Sequence, residues 1–297
     1  MGVKPSTHGK IRAILSEILA SGQLFPALAG SLEGKLNSFC QLYLPAKPAI
    51  QPISARHHND NVDEDGDFLL HDELRVSLDY LDTIFASGPL VTWFRVLPDP
   101  NPPSILLTDA PWESAPLLLH GRASIGAILF DSTAAMPLRL IYSSAEIPHT
   151  VLAQLAALRQ QRHFIMPAEG LALAAPYFSD DYVPSLRHRS VIHFGDNQPM
   201  NSIATKGYSS ALDAAHIALN LHRRLDFLRT RLWLSYVPSK ANLSDLPSRG
   251  EHAILQAMGA RRRPTSHSSY SCLVIREILL VYNRTHGLDA FTWGLQS

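Results

Sequence analysis

Four prolines in eight residues, LPDPNPPS at 97–104, divide the chain into two stretches with different hydrophobic periods. Proline fixes φ and lacks a backbone donor, so such a run is neither helix interior nor central strand; it reads as a linker. Before it, apolar residues recur at helical spacing. GKIRAILSEILASGQL sets Ile11, Ile14, Leu15, Ile18 and Leu19 on one face, and PALAGSLEGKLNSFCQLYL and HDELRVSLDYLDTIF repeat the pattern. The Pro-rich polar stretch 46–67 between the last two reads as a loop.

After the linker the period changes. ILLTDA (105–110), SIGAILFD (124–131), LRLIYSS (138–144), SVIHF (190–194) and LWLSYVPS (232–239) are short apolar runs bounded by turn residues, the pattern of strands. Helical runs fall at TVLAQLAALRQQRHF (150–164), at PAEGLALAAPYF with Pro167 starting it, at 209–231 with Ser209 or Ser210 as N-cap, and at NLSDLPSRGEHAILQAM (242–258). Three strands followed by alternating helix and strand predict an α/β fold: a mixed five-stranded sheet flanked by helices and preceded by a small helical region. The boundaries are a helical region at 1–96, the linker at 97–104, the α/β domain at 105–260 and a basic, Ser-rich tail at 261–297, in which CLVIREILLVY fits one more element.

Composition excludes several classes of function. The 297 residues are 46% apolar with formal net charge zero, so any nucleic-acid surface must be a local patch. Cys40 and Cys272 lie far apart without metal-type spacing, as in a reducing compartment. No apolar run approaches the twenty or so residues of a membrane span, and the polar start is not a secretory signal. The opening Met-Gly-Val-Lys-Pro-Ser meets only a loose acylation pattern. The expected setting is intracellular, cytoplasmic or nuclear, with no membrane partner and no small-molecule cofactor.

Four acids stand at strand ends or helix starts: Asp109, Glu169, Asp196 and Asp245. Drawn to one edge of a sheet they would repel, and some would have to take up protons. Two divalent cations resolve the conflict, and oxygen ligands suit Mg²⁺, with Mn²⁺ as the alternative. Each acid also has a plainer reading. Asp196 and Asp245 fit helix N-caps, and Glu169 fits a first-turn acid favoured by the helix dipole.

The motifs TDA…GAILF, MPAEGLALAA, VIHFGDN…KGYSSALD and WLSYVPSKANLSDLPSRG, in that order, resemble the ribonuclease H domain of retroelement reverse transcriptases. The similarity is to elements ending in a Val-Pro-Ser, Ala-Asn, Asp, Pro-Ser-Arg signature, DIRS-like retrotransposons among them. Upstream, residues 11–39 are similar to the helical connector that follows the polymerase in those polyproteins. The resemblance spans about residues 10–250. It implies a ribonuclease H-like fold, Asp109, Glu169, Asp196 and Asp245 as catalytic metal-binding acids with Asp109 bridging two Mg²⁺, an RNA–DNA hybrid as substrate, and a polymerase domain supplied elsewhere.

The sequence also departs from that pattern. Pro111 follows the first Asp-Ala pair and removes a donor beside the first acid. Glu146, in SSAEIPH, competes with Glu169 for the second position. Glu169 is preferred because AEGLALAA gives it a helix with an apolar face for the sheet, whereas Glu146 reads as loop. Ser239 and Lys240 stand where some members carry a histidine near the last acid. NVDEDGDFLLHD (61–72) lacks the final Glu of a calcium loop, and FSDD (178–181) is bracketed by Pro176 and Pro184, unlike a polymerase palm strand. The candidate phosphate contacts are Lys206 and the group Arg223, Arg224, Arg229 and Arg231, though a solvated helix face balanced by Asp226 fits that group as well. Trp233 and Tyr236 read as strand core. Two other functions fit the chain: an inactive or co-opted fragment that binds nucleic acid, and a DNA nuclease or transposase of the same fold.

Overall fold

β1 (Ser104–Asp109) is the centre of the sheet because both of its edges are paired. It lies antiparallel to β3 (Arg122–Phe130), with Leu107 opposite Ile128, and parallel to β5 (Ser190–Gly195), with Leu106 opposite His193. β4 (Leu140–Glu146) continues antiparallel on β3, and β6 (Arg231–Tyr236) continues parallel on β5. Two-residue strands complete the sheet: β2 (Trp112–Glu113) on β3, and β7 (Arg261–Arg262) parallel to β4. The strand order is β6-β5-β1-β3-β4-β7. This computed structural model describes residues 5–41, 43–58, 67–86, 101–113, 122–136, 138–148, 151, 165–209 and 211–263. They fall into two compact units, divided between residues 96 and 97.

The sequence-based fold class is the one observed: α/β, with a mixed sheet flanked by helices and a helical region before it. All five expected strands form within two residues of their expected starts. The two short strands were not expected, because two residues carry no period. β7 also ties residues 261–262, assigned to the tail, onto the sheet. The helix expected at 150–164 and the element at 272–282 lie outside the described residues.

One face of the sheet is covered by α5 (Ile165–Ala174), a 3₁₀ turn (Ala175–Phe178), α6 (Val183–Leu186), α7 (Gln198–Lys206) and α8 (Leu212–Leu228). α5 starts two residues before Pro167, which sits in its first turn, where its missing donor costs nothing. The N-cap of α8 is Ala211, with Ser209 Oγ accepting from its N–H at 3.1 Å. Several polar groups buried on this face are paired. His193 meets Thr108 Oγ1 at 2.8 Å and Tyr177 Oη at 3.1 Å, and Ser143 meets Tyr182 Oη at 2.7 Å. Burial pushes His193 down to about 3, so the ring is neutral and bridges the two hydroxyls.

The other face receives α9 (Asp245–Ser248) and α10 (Ala253–Ala257), which close an apolar cluster of Ile128, Tyr142 and Leu255. These short helices sit over β3 and β4. Trp233 and Tyr236, expected in the core, are instead 72% and 47% exposed. An apolar run on an edge strand reads like a buried one when sequence alone is available.

The helical unit holds α1 (Pro5–Ser21), α2 (Pro26–Cys40), a 3₁₀ segment (Leu44–Ile50), α3 (Gln51–His57) and α4 (Asp72–Ala86). Its core is built from Ile11, Leu15 and Ile18 against Leu32, Leu36, Leu74, Leu78 and Phe85. The loop expected over 46–67 is helical as far as His57. Prolines open both short segments in the first turn, where no intrahelical donor is needed. Buried Arg56 donates to the carbonyls of Leu69 at 2.9 Å and Leu24 at 3.5 Å, joining the ends of two loops. No helix among the described residues is long and apolar enough to cross a membrane.

Gly126, in the GAILF stretch of β3, is where α9 approaches the sheet most closely. A Cβ there would meet the Ser244 carbonyl oxygen and, at 2.6 Å, the Ser248 nitrogen, both of them backbone atoms. Gly126→Ala is expected to destabilise the protein by about 2 kcal/mol, as overpacking does, measured as a lower urea midpoint; an unchanged midpoint would contradict this packing.

Candidate metal centre

Parallel neighbours end side by side. β1 finishes at Asp109, β5 runs out at Gly195, and Asp196 follows directly, so two acids reach the same edge of the sheet. α5 brings the third. Gly170 lets this helix pack closely, since a Cβ there would meet Ile217 at 2.9 Å and Met200 Sδ at 3.0 Å, and the residue before it is Glu169. One carboxylate oxygen from each of Asp109, Glu169 and Asp196 lies within 4.8 Å of the other two.

The environment disfavours three negative charges. Asp109 is 5% exposed, and its pKa is raised to about 6 by burial and by the charges of Asp196 and Asp245, against the lowering effect of a hydrogen bond from Ser248 and the nearby Arg249. Glu169 is pushed up to about 9, by burial first and then by Asp109 and Asp196, while the Ala110 N–H holds it lower. Asp196 Oδ1 is buried and has no hydrogen-bond partner among the described residues. A buried carboxylate oxygen without a donor, on a residue grouped with two other carboxylates, is costly unless a cation or a proton joins them.

Asp196 does not cap α7. Asn197 does, its side chain accepting from the Met200 N–H at 2.9 Å. Glu146 pairs with Arg122 at 2.8 Å at the end of β4 and takes no part in the cluster. Asp245 heads α9 and accepts from Arg249 Nε at 2.7 Å. It stays outside the mutual 4.8 Å group, although Asp109 feels its charge.

Residues of the 237–249 string that the sequence did not single out hold the first acid. Ser248 Oγ donates to Asp109 Oδ2 at 2.6 Å. Asn242 Nδ2 donates to the Thr108 carbonyl at 3.1 Å, pinning the end of β1. The available signal was their placement around Asp245 in the Ala-Asn and Pro-Ser-Arg strings; their partners are more than 130 positions away. Pro111 is also accommodated. The donor that matters near the acids is Ala110 N–H, and the Pro111 carbonyl accepts from Ser124 N at 3.4 Å.

The cationic residues are not gathered here. Arg224 Nε donates to the Tyr177 carbonyl at 2.8 Å, and its guanidinium lies over Phe178 and Phe227. Arg223 bonds Asn220, and Arg229, in the left-handed conformation at φ 55°, bonds Asp226. Arg231 starts β6 beside Ser190, the strand's length away from Gly195, or roughly 17 Å at the rise of a strand. Lys206 is the exposed last residue of α7.

Solved structures similar to this chain include RNase H1 from the archaeon Halobacterium salinarum (14% identity, 50% of this chain and 96% of that one, TM-score 0.31). Another is the N-terminal RNase H domain of a Mycobacterium tuberculosis protein, solved as a fusion with maltose-binding protein (15% identity, 52% and 98%, TM-score 0.30). Likeness this slight does not bear on function. No family model matches the chain, and no curated protein matches it.

The raised carboxyls fix a sign. Protons are bound more tightly in the folded state, so the stability they contribute is full below about pH 4 and is lost as pH rises through about 6 for Asp109 and about 9 for Glu169. In EDTA the urea midpoint is expected to fall between pH 5 and 9, and to fall less in Asp196→Asn, which removes one repelling charge. Equal slopes in the two proteins would contradict the mutual repulsion.

Proposed function

We propose that the chain is a divalent-metal nuclease of the ribonuclease H kind that hydrolyses the RNA strand of RNA–DNA hybrids. We further infer that it derives from the C-terminal part of a retroelement reverse transcriptase. One observation carries the reading: Asp109, Glu169 and Asp196 converge at the carboxyl edge of a mixed sheet, with a buried Asp196 oxygen left unpartnered. An all-oxygen, desolvated donor set fits Mg²⁺ or Mn²⁺. These three residues and Asp245 would hold two such ions. Bound there, the ions supply a water acidic enough to ionise near neutral pH and offset the charge developing on the phosphate.

The protein's own part is positioning. Ser248 fixes the Asp109 carboxylate, Asn242 fixes the strand end beneath it, and Ala110 N–H orients Glu169. In the net reaction a water oxygen bonds to phosphorus, the P–O3′ bond breaks, and the departing oxygen takes up a proton. The products are a 3′-hydroxyl and a 5′-phosphate. A groove of about 360 Å³ lined by Pro111, Arg122, Ser124, Glu146, Ser248 and Arg249 shares Ser248 with the site and is suited to the sugar–phosphate backbone. Hydroxyl-bearing side chains there can read the 2′-OH that separates RNA from DNA. Lys206, Arg223, Arg224, Arg229 and Arg231 would then meet phosphates farther along the duplex, contributing affinity without sequence choice. The retroelement origin is supported by the order of the motifs and by the connector-like helices at 11–39; a polymerase domain elsewhere in the element would be the partner.

A labelled hybrid incubated in Mg²⁺ is expected to lose its RNA strand. EDTA should abolish the cutting, and Asp196→Asn should reduce it about a hundredfold or more, as loss of a metal-binding side chain does. Folded wild type that cuts nothing in Mg²⁺ or Mn²⁺ would overturn the reading and leave a nucleic-acid binder; faster cutting of duplex DNA would make it a DNA nuclease.

A further inference from the structure

We propose that the helical unit carries a separate metal site, formed by Glu33, His57 and His58 and suited to one Zn²⁺. Glu33 lies in α2, and the two histidines end α3. One ligand atom from each of the three lies within 4.8 Å of the other two. The Glu33 carboxylate and His57 Nδ1 are 2.8 Å apart, near enough to share one ion, and the two imidazoles lie 4.6 Å apart between ring centres at 27°.

Two features of the fold suit this use. The His57 ring lies directly over Gly30, where a Cβ would meet Nε2 at 2.7 Å and Cδ2 at 2.8 Å. The glycine therefore admits the ring with Nε2 against the helix, and Nδ1 is the nitrogen turned to Glu33. The histidines also stand at the C-terminal end of α3, where exposed carbonyls favour positive charge. His57 and His58 are exposed and Glu33 is half-buried, so an ion has access from solvent.

The donor set selects the ion. Two imidazole nitrogens and one carboxylate oxygen suit Zn²⁺, with a fourth position left to water, whereas Mg²⁺ prefers oxygen alone. The acidic cluster of the other unit has the opposite preference, so the two sites can be filled independently. Zinc here would tie α2 to the end of α3, across 24 positions of sequence, and raise the stability of the helical unit by binding only the folded state.

The test uses the full chain, stripped with EDTA and held in excess Mg²⁺ to occupy the carboxylates. Titration with Zn²⁺, and with Co²⁺ as its spectroscopic stand-in, is expected to show one tight site whose visible bands report nitrogen ligation. His58→Ala and Glu33→Gln should each weaken it about tenfold or more, and Gly30→Ala, which spares every ligand, should weaken it by displacing the His57 ring. Asp196→Asn should leave it unchanged. Zinc bound no more tightly by the wild type than by the His58→Ala and Glu33→Gln variants, or a site lost with Asp196, would overturn the proposal.

Discussion

Gathering Asp109, Glu169 and Asp196 in a corner largely shielded from water is the constraint around which the α/β unit is organised. Like charges held that close, without water to screen them, oppose the fold itself. The unit tolerates this because the surrounding contacts determine the corner several times over. β1 is paired on both edges, Asn242 and Ser248 clamp its end from one face, and α5, on which α7 and α8 close at Gly170, brings Glu169 in from the other.

Asn242 and Ser248 show how the string after β6 works. It makes a short 3₁₀ turn and two short helices rather than one long helix, and it crosses the end of the sheet with its polar side chains turned inward. Asn242 accepts from Ser244 at 2.5 Å while donating to β1, so both ends of its amide are engaged. Arg249 meanwhile donates to Asp245 at 2.7 Å, beside the corner that the other three acids share. Gly126 makes the approach possible by having no side chain where two backbones meet.

How much of this was legible in the sequence depended on range. The strands declared themselves through short apolar runs, and the three converging acids through their places at strand ends and a helix start. Glu169 rather than Glu146 joins the cluster, because α5 packs on β1 and β3 while Glu146 pairs with Arg122 on the neighbouring strand. The misreadings share a cause. Trp233 and Tyr236 look like core until it is known that β6 is an edge strand, where both side chains stay exposed. The plainer reading of Asp196 as a helix N-cap fails for a like reason: the backbone gives the cap to Asn197. Prolines at 45–52 suggest a loop, but those that open helical segments are helix starts. The distance of Arg231 from the acids likewise depends on which strands pair with which.

The central claim is that the three carboxylates share divalent cations, and crystals soaked in Mn²⁺ test it most directly. Anomalous scattering should place manganese within coordinating reach of Asp109, Glu169 and Asp196, with Asp196 Oδ1 among its ligands. Carboxylates found apart, or Asp196 Oδ1 satisfied by a protein donor with no manganese beside it, would contradict the account.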